Sequence, residues 1–205
     1  MIDIDTQLSA IQREVATRGT DGAEEVAVLL RRRYEAQAAD VWQAVAEPDQ
    51  LRRWFTPVSG DLRVGGTFQL EGNAGGEILT CEAPHLLRVT FGAPTSILEL
   101  RLSAADGSTL LELEHTVPLE LAGSGAGALY VGPGWDGALL ALGLYLDGEV
   151  AEDPAAAGNS PEGIEFARRS VHVWAEAITA SGAASPEEVT AATEASLAQF
   201  APATA

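Results

Sequence analysis

The chain has no lysine: all 12 of its basic residues are arginine, set against 30 acidic ones in 205 residues. Without a side-chain primary amine there is no Schiff-base nucleophile, no attachment point for pyridoxal phosphate and no phosphate-binding-loop lysine. Cysteine occurs once, at Cys81, which excludes an internal disulfide and a multi-cysteine zinc site and fits a reducing, cytoplasmic setting. Long apolar runs are missing too. The longest, ALLALGLYL, is about half the length a bilayer-spanning helix needs, so no membrane span is expected. The amino terminus, MIDIDTQLSAIQREV, lacks the basic start and apolar centre of a secretory signal. A formal charge of −18 repels phosphate backbones and anionic lipid, which argues against nucleic acid as a partner.

What is present is an ordinary globular composition, 46% hydrophobic and 20% charged, long enough for one sizeable core with additional segments. Ile4, Leu8, Ile11 and Val15 recur at helical spacing up to Gly19 and predict an amphipathic amino-terminal helix, which must dock on something. Residues 26 to 35 suit a strand. Within it Arg31, Arg32 and Arg33 form the only basic run, and alternation splits them between faces, so they read as a solvated strand rather than a patch. AADVWQAVAEPDQLRRWF then reads as two short helices broken at Pro48, with Trp42, Val45, Leu51, Trp54 and Phe55 buried.

Five strand candidates follow, GGTFQLE, GEILTCE, HLLRVTF, TSILELRLS and STLLELEHT, separated by turn signals such as GNAGG and AADG. This is the pattern of an antiparallel meander. Leu98, Leu100 and Leu102 share one face, with Leu87, Val89 and Phe91 and with Leu111, Leu113 and His115 inward on their strands; Glu99, Arg101, Glu112 and Glu114 fall on the wet side.

The glycines at 123, 125 and 127 lack phosphate-loop spacing and read as a flexible connection with the option of a lid. GPGWDGALLALGLYLDG, residues 132 to 148, is a helix apolar on nearly every side, so it needs cover on both sides. Asp136 lies near its start, where the helix dipole alone accounts for a carboxylate. Ser160-Pro161 and Ser185-Pro186, the latter with Glu188, mark two further helices, the first with a stripe of Ile164, Ala167, Val171, Trp174 and Ile178. GEVAEDPAAAGN between them and the long helix reads as linker.

This order, carried by DVWQAVAEPDQLRRWF, GDLRVGGTFQLEGNAGGEI, LELEHT and GWDGALLALGLYLDG, resembles the bacterial SRPBCC proteins related to the activator of Hsp90 ATPase, within the START and Bet v 1-like superfamily. RRSVHVWAEA looks like the added helices of a longer actinobacterial-type subgroup. The resemblance implies an α+β helix-grip fold: a curved antiparallel sheet gripped by a long helix, with an extra amino-terminal helix and two carboxy-terminal helices. The corresponding division is an amino-terminal helical extension over 1–22, the helix-grip domain over 23–148, a linker over 149–162 and a carboxy-terminal helical extension over 163–205. Where many relatives have Thr-Trp on the third meander strand, this chain has Thr90-Phe91, which would reshape a cavity.

The resemblance further implies a pocket between the sheet and the 135–147 helix. Its candidate lining is Trp54, Phe55, Phe68, Leu70, Val89, Phe91, Leu113, His115, Trp135, Leu139 and Leu142. His115 is the one inward residue that titrates near neutrality, so it would orient a ligand or, in an enzyme, move a proton; a satisfied structural histidine is the plainer alternative. His85 and His172 have no spaced partner, and neither a metal nor a cofactor is expected. Three readings stay open: binding of a small hydrophobic or amphipathic molecule, a cyclase- or aromatase-like enzyme acting on a carbonyl substrate, and a protein-interaction or chaperone-regulating module. A homodimer is a further option, because the amino-terminal apolar stripe needs a surface.

Overall fold

The segment expected to be one amino-terminal helix divides in two. In the computed structural model, which describes residues 2–20 and 23–202, helix α1 (Ile4–Ser9) gives way to strand β1 (Ile11–Thr20). The four-residue spacing of Ile11 and Val15 satisfies a strand as well as a helix, and both side chains are buried. Asp3 caps α1, its carboxylate accepting from the Thr6 amide at 3.1 Å, while the β-branched Ile11, Val15 and Thr17 favour the extended form beyond it. The extension predicted as helical is therefore mostly strand.

The chain continues through β2 (Ala23–Tyr34), α2 (Ala38–Ala46), α3 (Pro48–Trp54), β3 (Val58–Gly60), β4 (Thr67–Leu70), β5 (Gly75–Glu82), β6 (Leu86–Phe91), β7 (Ala93–Ala105) and β8 (Ser108–Pro118). After these come α4 (Leu119–Ala122), a 310 segment (Gly125–Tyr130), α5 (Gly132–Leu146), α6 (Pro154–Gly158), α7 (Pro161–Ser181) and α8 (Pro186–Phe200). The eight strands form one sheet in the order β1-β2-β8-β7-β6-β5-β4-β3, and the pairings from β3 to β7 are antiparallel. Two compact units divide the chain.

The first unit is Met1–Leu30, Thr116–Leu139 and Ala156–Ala205. Here α7 packs against β1, α8 and the 310 segment. Val171, Trp174 and Ile178 of the predicted stripe are buried, while Ile164 and Ala167 are half-buried. Both predicted caps form: Ser160 Oγ accepts from the Gly163 amide at 3.1 Å, and Ser185 and Glu188 close a capping box. The amino-terminal stripe finds its surface within this unit, since β1 lies against α7 and the Asp5 carboxylate of α1 accepts from Arg169 at 2.8 Å. The glycine-rich connection is not a flexible one. Ala126, Ala128 and Leu129 are buried, the Gly125 amide donates to the Ala183 carbonyl at 3.0 Å, and Ser196 Oγ donates to the Leu129 carbonyl at 2.7 Å. Glycine is required at 125, where any side chain would run into Ala183.

The second unit is Arg31–His115 and Leu140–Ala155. Helix α2 packs on β7, and α3 follows after the break at Pro48. The ladder places Ile78 opposite Val89, Val89 opposite Leu98, and Leu87 opposite Leu100, which assembles the apolar face across β5, β6 and β7. Asp106 (φ 44°) and Gly107 (φ 87°) both occupy the left-handed region, as a two-residue hairpin turn between β7 and β8 requires. The segment read as linker is interrupted by α6.

Candidate functional site

One ion pair fixes which residues face inward in the second unit. Arg31 Nε lies 2.7 Å from Glu112 Oε1, so these two stand on the same face of β2 and β8. Arg33 joins them, donating to Ser108 Oγ at 2.8 Å. Strand alternation then sends Arg32 and Tyr34, together with Leu111, Leu113 and His115, to the opposite face. That face extends to β7 through Ser96, whose Oγ is 2.8 Å from His115 Nε2. It reaches β6 through Phe91, whose ring meets the imidazole edge-on at 5.7 Å between centroids. Ile78 continues it into β5. Phe68, opposite Gly76 in the ladder, continues it into β4. The second half of α5 lies over part of this face, for a side chain at Gly143 would meet Arg32 and Tyr34.

The polar groups on this face are few. His115 and Ser96 are 3% and 6% exposed and share one hydrogen bond, whose direction follows the imidazole tautomer. Burial pushes the His115 pKa down to about 4, so the ring is neutral at pH 7. Arg32 is also buried, at 8% exposure, with its guanidinium carbon 5.2 Å from the centre of the Tyr34 ring. The reading of a solvated strand thus fails at Arg32, although it suits the exposed Arg33. The pattern gave no warning: Arg32 and Tyr34 share parity with Val26, Val28 and Leu30, all buried, but Ala27 and Leu29 of the opposite parity are buried as well. Burial pushes the Tyr34 phenol up, against the opposing influence of Arg32. Near the end of α5, Tyr145 donates to Gln50 Oε1 and the Arg53 guanidinium lies 5.3 Å from the Tyr145 ring centre.

Among the predicted lining residues, Trp54 serves the core. Its Nε1 donates to the Ala44 carbonyl at 2.9 Å and its ring lies 5.4 Å from that of Phe55. Leu70, Val89, Leu113 and Leu142 are buried; Phe55, Phe68 and Phe91 are half-buried. Trp135, half-buried, and Leu139, buried, belong to the first unit.

The first unit holds a separate polar cluster that the helix-dipole reading of Asp136 did not anticipate. Asp136 is the fifth residue of α5 and fully buried. Its carboxylate accepts from Arg13 Nε at 3.1 and 2.9 Å, from Ser170 Oγ at 2.5 Å and from Trp174 Nε1 at 3.0 Å. Arg13 Nη1 donates to the Leu8 and Ile11 carbonyls at 3.0 and 2.8 Å. Burial pushes the Asp136 carboxyl up from its ordinary range, opposed by Arg13 and by the Ser170 and Trp174 donors. These contacts tie β1, α5 and α7 together, and every partner is a fixed group of the fold. Among the described residues no three His, Cys, Asp or Glu side chains are grouped as metal ligands, and no helix is long and apolar enough to cross a membrane.

Residues 35–147 match the family described as Activator of Hsp90 ATPase homolog 1-like protein. The chain belongs to that family. The fold is the α+β helix-grip type of SRPBCC proteins, and β1 and helices α6 to α8 lie outside the matched residues. Among solved structures, the crystal structure of CalU16 from Micromonospora echinospora is 38% identical, with 82% of this chain and 98% of that chain covered and a TM-score of 0.68. The solution NMR structure of CalU16 gives 36% identity, 84% and 97% coverage and a TM-score of 0.71. EF2215 from Enterococcus faecalis, a conserved protein of unknown function, shares the fold at 19% identity, 87% and 95% coverage and a TM-score of 0.60. No protein of curated function matches the chain in sequence.

Proposed function

We propose that the inward face of the second unit binds a small apolar or amphipathic molecule beneath the second half of α5. The observation that carries this reading is the composition of that face: its buried side chains from β4 to β8 are apolar except for the Ser96 and His115 pair and Thr109, whose hydroxyl is taken up by the Ala36 carbonyl, with Arg32 and Tyr34 beside them on β2. Affinity would come from apolar burial, on the order of 25 cal/mol for each Å² removed from water, and the few polar groups would set orientation. Leu142, Val89, Phe91 and Leu113 are the apolar contacts. Native mass spectrometry of the gently purified chain tests it. A discrete excess mass that disappears on denaturation is expected; a clean apo mass together with no uptake of Nile red would overturn it.

An enzyme of cyclase type is the second reading, favoured by one feature. Ser96 and His115 have the 2.8 Å spacing of a nucleophile and its base. The same burial that brings His115 inward makes its conjugate acid strong, with a pKa of about 4, and so leaves the ring a weak base. Orientation of a carbonyl or hydroxyl by the neutral ring fits better than proton abstraction. Turnover of a carbonyl substrate that His115→Ala abolishes would favour the enzyme. The chaperone-regulating reading is supported by the family's description alone.

A further inference from the structure

A small cluster between α3 and the end of α5 has donors to spare and no acceptor left. Leu142, an apolar contact of the proposed site, and Tyr145 are three residues apart and share one side of α5. Exposure rises along that line: Leu142 is buried, Tyr145 half-buried and Arg53, whose guanidinium lies 5.3 Å from the Tyr145 ring centre, exposed. The cluster therefore stands at the rim, where the face covered by α5 meets water.

Its internal bonds decide which atoms remain for a ligand. Tyr145 Oη donates to Gln50 Oε1. Arg53 Nη1 donates to the same oxygen at 3.5 Å and to Tyr145 Oη at 3.3 Å. Both oxygens of the cluster are thus engaged within it. The donors Gln50 Nε2, Arg53 Nε and Arg53 Nη2 have no acceptor among the described residues, and no carboxylate there pairs with Arg53. Arg52, one position earlier, pairs with Asp49 at 3.3 Å and supplies the positive charge that the last turn of α3 favours, so the helix end does not account for Arg53. In a chain with 30 acidic and 12 basic residues, an arginine without a carboxylate stands out. A guanidinium fork held against an aromatic ring, with a carboxamide N–H beside it, matches the geometry of an oxyanion, and charge-assisted bonds are the stronger kind.

We infer that Arg53 and Gln50 hold the head group of the bound molecule at the rim, so that the ligand class is an amphipathic acid, an apolar body ending in an oxyanion. This rests on the binding reading above and narrows it. The body lies under Leu142 and the second half of α5, while the oxyanion meets Arg53 and Gln50 and keeps part of its hydration. Because the contact is exposed, its contribution is modest and salt screens it.

Isothermal titration of the full chain with decanoate and with 1-decanol tests this, since the two probes share a chain length and only the first carries an oxyanion. At low salt Arg53→Gln is expected to weaken decanoate more than 1-decanol, by about two- to fivefold, and high salt should erase that difference. Gln50→Glu keeps an acceptor for Tyr145 and Arg53 but turns the outer donor into a negative oxygen, so it should weaken decanoate selectively as well. Both positions are incompletely buried, so the variants are expected to fold. Decanoate binding undiminished in either variant, or an equal loss of both probes, would overturn the inference and leave the binding reading standing. Failure of the wild-type chain to bind either probe would overturn both.

Discussion

Ser96 Oγ and His115 Nε2 stand 2.8 Å apart on the inward face of the sheet, both residues buried. This places an imidazole where its protonated form is strongly disfavoured, and the consequence is thermodynamic as well as chemical. A depressed histidine pKa means that the unfolded chain takes up the proton first. Between the unfolded value of about 6.5 and the folded value of about 4, the unfolded state binds more protons and stability falls as pH falls. From pH 7 to pH 5 His115 should therefore remove about 2 kcal/mol of stability. Urea denaturation of the wild type and of His115→Gln at both pH values checks this. The wild type should lose that much more than the variant, and an equal loss in both would refute it.

Trp54 separates core from candidate lining. Its indole donates to the Ala44 carbonyl at 2.9 Å and so ties α3 to α2. Trp54→Phe removes that bond and leaves a buried carbonyl short of its donor, an expected cost of about 1–3 kcal/mol in urea denaturation. Ligand uptake by the folded variant should match the wild type. A loss of uptake with no loss of stability would return Trp54 to the binding site.

The parts of this fold that were legible in sequence are those decided by local chemistry. The Ser185 and Glu188 capping box, the helix break at Pro48 and the alternation through Leu98, Leu100 and Leu102 each depend on residues a few positions apart. β1 was misread because the spacing of Ile11 and Val15 belongs to both periods, and the choice between them falls to the sheet. Asp136 was misread for a different reason: its partners Arg13, Ser170 and Trp174 lie 123, 34 and 38 positions away. Arg32 was not legible, because the residues before it, 26 to 30, are apolar on both faces and its arginine neighbours suggested a single solvated run.

Two glycines of α5 give a matched comparison. At Gly137 an added methyl meets nothing within 4 Å, whereas at Gly132 it overlaps the Trp174 indole, which is fully buried and bonded to Asp136. Alanine gains about 1 kcal/mol of helix propensity at Gly137, inside the helix, and less at Gly132, its first residue. At 132 the overlap costs about 1–3 kcal/mol because a rigid ring must move, so the balance there is unfavourable. Thermal denaturation should show Gly137→Ala stabilised and Gly132→Ala destabilised. The same sign for both would mean that the indole shifts freely.

The Arg13 and Asp136 pair yields a pH dependence of opposite sign to that of His115. Asp136→Leu should cost about 3–5 kcal/mol, because it strands the buried Arg13 charge. Arg13→Met acts differently. The carboxyl keeps its Ser170 and Trp174 donors but loses the cation that opposes its burial, so its pKa, already raised, rises further. The folded state then holds a proton that the unfolded chain, with a carboxyl pKa of about 3.9, gives up. Stability of Arg13→Met should therefore increase relative to wild type as pH is lowered from 7 towards 5, as protonation removes the stranded negative charge. Adding Asp136→Asn to Arg13→Met should abolish that gain, since an amide does not titrate. Urea denaturation of the three chains at pH 5 and pH 7 reads this directly. A constant gap between Arg13→Met and wild type at the two pH values would show that the carboxylate stays ionised on its two neutral donors alone.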